Sequence, residues 1–181
     1  NRAVLPQFRK KQKGLVVYIS SILGRTVLPF MGPYNASKFA LEGLAETYRA
    51  ELSQLGIESS IIEPGAHGTN FLKNILSSSD SNCNKSYGDM AKAPAAMVGE
   101  FEKIFADPEF SPKPQMVANA VLEVINMAHG SRPFRTVIDG LGWFEPFTSL
   151  NNKSDSLTHD WIEKNGMGQL LQVKLDEQVT R

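Results

Sequence analysis

The chain is 181 residues long, with 41% hydrophobic and 9% aromatic residues and with 19 Lys plus Arg balanced by 19 Asp plus Glu. That size and composition fit one soluble globular domain and exclude a disordered chain, while zero formal charge leaves no basic footprint for nucleic acid or an anionic membrane. No apolar run reaches the roughly 18 residues of a membrane span, no signal-peptide pattern opens the chain, and the single cysteine, Cys83, excludes an internal disulfide or a multi-cysteine zinc site; the expected setting is cytoplasmic.

Residues 1–9 carry Val4, Leu5 and Phe8 at helical spacing, and Lys10, Lys11 and Lys13 before Gly14 mark a helix C-terminus. The basic run reads as a solvated helix end rather than a phosphate-binding patch. A chain that opens inside a helix, on Asn1 rather than Met, suggests more protein upstream. Residues 14–20 (GLVVYIS) form a continuous apolar run, the habit of a parallel strand buried on both faces. A loop with Gly24, Pro29, Gly32 and Pro33 follows, then a helix over 34–55 with Phe39, Ala40, Leu44, Ala45, Tyr48, Leu52 and Leu55 at steps of three and four, closed by Gly56. Residues 57–63 are a second strand, ended by Pro64 and Gly65. Strand, helix and strand make a βαβ unit, whose right-handed crossover builds a parallel sheet.

Residues 77–86 read as a mobile polar loop and 91–105 as a helix. Pro112 and Pro114 introduce a clearer helix over 115–128, Gly130 follows it, and 134–138 (FRTVI) is a third strand. Beyond Gly140 only a weaker helix near 158–164 stands out. The architecture expected is α/β with at least three parallel strands.

In such sheets ligands bind beyond the carboxyl ends of the strands. Ser20 and Ser21, residues 64–69 and the loop after Ile138 fall there, and the helix starting near Tyr34 returns from the same edge. Tyr34 and Lys38 are four apart, on one helical face. A tyrosine with a reference pKa near ~10 needs about 4 kcal/mol of preference for the phenolate to act near neutrality. A unit positive charge roughly 4 Å away at an effective dielectric of about 20 supplies that much. Tyr34 as general acid/base with Lys38 as its electrostatic partner is chemically sensible.

The stretches VVYISSILG, YNASKFALEGLAE and IIEPGAHGT, in that order and spacing, resemble the short-chain dehydrogenase/reductase family. In that family a serine ends a sheet strand and a tyrosine follows 13 residues later, here Ser21 and Tyr34, with Lys38 completing the set. The family's Pro-Gly motif falls on Pro64 and Gly65, and its threonine on Thr69. The resemblance runs from Asn1 to about Ile138; the tail is only loosely similar. It implies the C-terminal part of a doubly wound, Rossmann-type parallel sheet with helices on both faces. Residues 1–140 would be that catalytic part, with a substrate lid over 70–113, and 141–181 a C-terminal extension.

The resemblance further implies hydride transfer between NAD or NADP and an alcohol or carbonyl substrate. Tyr34 would exchange the proton with the substrate oxygen, Lys38 would hold the nicotinamide ribose, and Ser21 would polarise the substrate oxygen. Pro64, Gly65, Thr69 and, in the same turn, His67 would contact the cofactor. The family's glycine-rich turn, first four strands and catalytic asparagine all precede the point where this chain begins, and no G-x-G-x-x-G occurs in it. A fragment of an enzyme, with an exposed first strand and little activity alone, is the expectation. The full-length form would be a homodimer or homotetramer.

Other readings stand beside these. A non-catalytic nucleotide sensor or scaffold of the same fold, and a plain α/β interaction module, are the rivals. His67, His129 and His159 lack metal-ligand spacing. Ser20 reads as structural and Cys83 as incidental. Trp143, Phe144 and Phe147 are expected to cover the core, and Glu42, Glu46 and Arg49 to face solvent or a second subunit.

Overall fold

A computed structural model of the chain describes residues 2–76 and 79–175. A short helix α1 (Leu5–Lys11) leads into β1 (Gly14–Ile19), α2 (Gly32–Ser53) and β2 (Ile57–Pro64). Then come α3 (Ser81–Ser86), α4 (Ala93–Ala106), α5 (Gln115–Asn126), β3 (Arg135–Ile138) and α6 (Phe144–Lys164). The three strands form one parallel sheet in the order β1-β2-β3, with Tyr18 beside Ile61 and Ile61 beside Arg135. The α/β architecture follows from the two crossovers that parallel neighbours require.

β2 lies between two partners and is buried along seven of its eight residues. β1 is different: only β2 pairs with it among the described residues, its first four residues are half-buried and Ile19 is 46% exposed. The faces of β1 are thus less covered than the expected burial on both sides, while its one partner among the described residues agrees with the exposed first strand expected above. The core packs Tyr18, Ala45, Ile61 and Phe134 together, with Val16, Leu41 and Tyr48 against them. α2 is joined to β2 by a tight turn in which Gly56 has φ +67° and faces the carbonyl of Gln12, a place no side chain could occupy.

Other boundaries shift for local reasons. α2 begins at Gly32 because Pro33 sits in its first turn, where a missing N–H costs nothing. Within the expected loop over 77–86, Asp80 accepts from the N–H groups of Asn82 and Cys83 and starts α3. Positions 77, 78 and 1 lie outside the described residues. The weak tail helix becomes the 21-residue α6, and in the turn before it the Asp139 carboxylate accepts from the Leu141 and Trp143 amides at 2.9 and 2.7 Å. Only Phe147 of the three expected aromatic core residues is buried; Trp143 and Phe144 are 55% and 51% exposed, because α6 turns them away as it starts.

The largest departure concerns charge. Arg135 on β3 is buried and ion-paired with Glu42 and Glu46 of α2, Glu63 of β2 and Asp155 of α6. Asn151 donates to Glu63 and accepts from Arg25 at 3.0 Å. The expected solvated face at Glu42, Glu46 and Arg49 is therefore an inward stripe: Glu42 is 2% exposed, and Arg49 stacks 4.4 Å from the Phe134 ring centroid. Burial, with Glu42 nearby, raises the Glu63 carboxyl to about 7 despite the hydrogen bond from Asn151 and the Arg135 cation. A second buried pair, Glu58 with Arg132, closes the far end of β2, where the Gly130 amide also donates to Glu58 at 2.9 Å.

Candidate active site at the carboxyl edge of the sheet

The three strands end side by side, so the segments after Ile19, Pro64 and Ile138 share one edge. Ser21 caps the short turn Ile22–Gly24: its hydroxyl accepts from the Leu23 amide at 3.1 Å and donates to the Pro64 carbonyl at 3.3 Å. That links the first two strand ends through one side chain. The donated bond is long, so the proton is held loosely. Ser20 is buried, its amide donates to the Ile62 carbonyl at 2.8 Å, and its hydroxyl has no partner among the described residues.

Tyr34 and Lys38 sit in the first two turns of α2, both half-buried. The Lys38 ammonium donates to the Ile19 carbonyl at 3.0 Å and lies 5.5 Å from the Tyr34 ring centroid. Helix spacing and strand end thus hold the cation against the phenol ring, and two of its three N–H groups remain for other acceptors. Desolvation lowers the Lys38 pKa, opposed by Glu42 one turn on. The Tyr34 hydroxyl makes no hydrogen bond among the described residues. Its ring meets Phe71 edge-on, centroids 5.1 Å apart.

The turn after β2 is equally shaped. The Gly65 amide donates to the Ile138 carbonyl at 2.8 Å, tying the second strand end to the third. A methyl group at Gly65 would collide with an Asp139 carboxylate oxygen, so any side chain here would have to displace that carboxylate. His67 is buried, with Nδ1 3.0 Å from the Gly65 carbonyl. That contact fixes Nδ1 as the protonated nitrogen, and Nε2 is then an acceptor without a partner among the described residues. Thr69 is exposed; its hydroxyl accepts from the Phe71 amide at 3.2 Å and keeps its proton to donate. The Gly68 amide donates to the Pro112 carbonyl at 3.2 Å, fastening residues 70–111 as a flap whose two ends meet beside this turn.

Ser21, Tyr34, Lys38, Pro64, Gly65, His67 and Thr69 all belong to this edge or to the segments that leave it. Phe71 and Asp139 belong there too and were not anticipated. A lone aspartate after a short strand carries no signal until the strand's neighbour is known to be a glycine. Two N–H groups of Lys38 and the Thr69 hydroxyl remain to meet a ligand rich in hydroxyl and amide groups, whereas the unpartnered His67 Nε2 is shielded from solvent. No group of His, Cys, Asp and Glu that could hold a metal ion occurs among the described residues, and no helix among them is long and apolar enough to cross a membrane.

Residues 1–80 match the short chain dehydrogenase family model. The chain is similar to a 3-ketodihydrosphingosine reductase of Bacteroides thetaiotaomicron, 31% identical over 140 residues, 77% of this chain and 49% of that protein. It is also similar to dehydrogenase/reductase SDR family member 4 of Rattus norvegicus, 41% identical over 70 residues, 39% of this chain and 25% of the relative. Among solved structures, a short-chain dehydrogenase from Streptomyces avermitilis superposes with a TM-score of 0.57 at 29% identity, covering 92% of this chain and 56% of that one. A short-chain dehydrogenase/reductase from Burkholderia phymatum in complex with NAD shares the fold, with a TM-score of 0.56 at 18% identity over 87% of this chain and 53% of that one. The chain spans about half the length, or less, of these relatives.

Proposed function

The chain belongs to the short-chain dehydrogenase/reductase family, and from that premise we propose that it carries the catalytic face of an enzyme that moves a hydride between NAD or NADP and an alcohol or carbonyl carbon. The observation that carries this reading is the Lys38 ammonium bridging the Ile19 carbonyl and the Tyr34 ring at one strand end. When bound, the nicotinamide supplies or accepts the hydride. Everything else falls to side chains of this chain. Tyr34, whose hydroxyl makes no hydrogen bond among the described residues, gives its proton to the substrate oxygen on reduction and takes it back on oxidation. Lys38 holds the ribose hydroxyls with its two remaining N–H groups and keeps positive charge beside the phenol. Ser21 turns its loosely held proton from the Pro64 carbonyl to the substrate oxygen, a donor fixed in place before charge develops there. Gly65, His67 and Thr69 seat the nicotinamide, and residues 70–113 close over the substrate.

The Bacteroides relative's name supports a ketone as substrate, and the Burkholderia structure with NAD supports a nicotinamide nucleotide. Assembly as a homodimer or homotetramer is supported by Phe39 and Leu44, 44% and 47% exposed on the outer side of α2. The test pairs two titrations. NADH and NADPH are added to the wild type and to Tyr34→Phe, and turnover of simple ketones is followed by the absorbance of reduced nicotinamide. Tyr34→Phe should lose about 10²–10⁴-fold in kcat while nucleotide affinity stays. Binding without turnover in the wild type would instead make the protein a nucleotide sensor, and no binding of either nucleotide would sink the proposal.

A further inference from the structure

A cavity of about 280 Å³ lies away from the carboxyl edge, between the C-terminal half of α2, the approach to β3, α6 and the turn at Gly168–Leu171. Its lining joins apolar Phe134, Ile162 and Leu171 to charged Glu46, Arg49 and Asp155. These charges are not equally engaged. Glu46 and Asp155 each give one carboxylate oxygen to Arg135, and their side chains remain 29% and 32% exposed. Arg49 makes no hydrogen bond or ion pair among the described residues; it is held by stacking on Phe134, whose ring also carries Arg135 at 4.5 Å. Burial lowers the Arg49 pKa, and Asp155 and Glu46 oppose that. A half-buried guanidinium fixed in orientation, with its donors unused and a cavity before it, is a binding group awaiting an anion.

The carboxylates decide what kind of anion. A simple monoanion on Arg49 would add negative charge beside Glu46 and Asp155, and a simple cation on those two would face Arg49. A ligand bearing both signs meets both, and the apolar lining takes a hydrocarbon group of modest size. We propose that this cavity binds an apolar α-amino acid of about the size of leucine or phenylalanine. Its carboxylate lies on Arg49, its ammonium against the second oxygens of Glu46 and Asp155, and its side chain against Phe134, Ile162 and Leu171. Because stacking already orders Arg49, little conformational freedom is lost on binding. The site lies far along α2 from Tyr34 and Lys38 and stands whether or not the carboxyl edge is catalytic.

The test titrates L-leucine, L-phenylalanine, hexanoate and hexylamine into the intact protein, read by calorimetry and by the methyl resonances of Ile162 and Leu171. Saturable binding of leucine or phenylalanine at least tenfold tighter than of either singly charged probe is expected. Arg49→Met should weaken it at least tenfold, and Thr158→Phe, which fills the cavity from α6 without removing a charge, should remove it. Thr158→Phe keeps the test decisive if Arg49→Met fails to fold. Hexanoate or hexylamine binding as tightly as the amino acids overturns the proposal, as does the absence of saturable binding by any probe or full affinity in Thr158→Phe.

Discussion

Helix α2 carries two polar regions that differ in everything but spacing. Tyr34, Lys38, Glu42, Glu46 and Arg49 follow at steps of four, four, four and three, so they form one stripe down one face. Above the strand ends the stripe is open: the Tyr34 hydroxyl is unpartnered among the described residues and Lys38 makes one hydrogen bond. Two turns on, over the body of the sheet, Glu42 and Glu46 are tied to Arg135. What lies beneath the helix makes the difference. Strand ends offer carbonyls and space, whereas the start of β3 offers a buried cation that must be neutralised.

Removing that cation should have the largest effect. Arg135→Met leaves Glu42, Glu46, Glu63 and Asp155 without their shared partner and should cost about 3–5 kcal/mol in urea unfolding. A loss under 1 kcal/mol would mean that the two regions do not differ as described. Ser21→Ala should act oppositely, cutting turnover of the enzyme by about 10²–10³-fold while costing no more than about 1 kcal/mol for the lost cap. Unchanged turnover would pass the role to Ser20.

The smallest effect depends on pH. Glu63 rises from 4.5 to about 7 in the folded state, so the fold binds its proton more tightly than the unfolded chain does. The stability this group contributes is complete below pH 4.5, declines as pH rises towards 7, and is lost above it. Glu63→Gln keeps an oxygen for Asn151 but cannot ionise. Relative to wild type it should therefore gain about 3 kcal/mol between pH 4.5 and pH 8. A stability difference that stays flat over that range would show the carboxyl to be ionised throughout.

The sheet, the crossover helix and the residues of the edge were legible because each is local in sequence. An apolar run bounded by glycine, a helix at steps of three and four, and Tyr34 four before Lys38 are all visible within a few turns of chain. The inward role of Glu42 and Glu46 was not legible, since a carboxylate facing solvent and one facing Arg135 have the same helical spacing. Their partner lies about 90 residues away on a strand whose register no local pattern fixes. Asp139 and the exposure of Trp143 escaped for a related reason: both depend on where α6 starts, and neither a side-chain cap nor apolar periodicity marks that start. β1 reads as buried on both faces by composition, yet its first four residues are half-buried, because composition reports apolar demand and not how much packing meets it.

The central position of β2 also bears on the order in which the chain can fold. The unit from β1 through α2 to β2 leaves the ribosome complete, carrying Glu42 and Glu63 already aimed at its interior. Their counter-charge, Arg135, emerges about 70 residues after β2, as does Pro133, to which Ser60 is tied. Until β3 docks, that face must stay wet or protonated, since burying two bare carboxylates is prohibitive. Electrical neutrality therefore makes the first half of the chain wait for the second. The nascent βαβ unit is kept from closing on itself too early, with its apolar face exposed in the interval during which aggregation is the hazard.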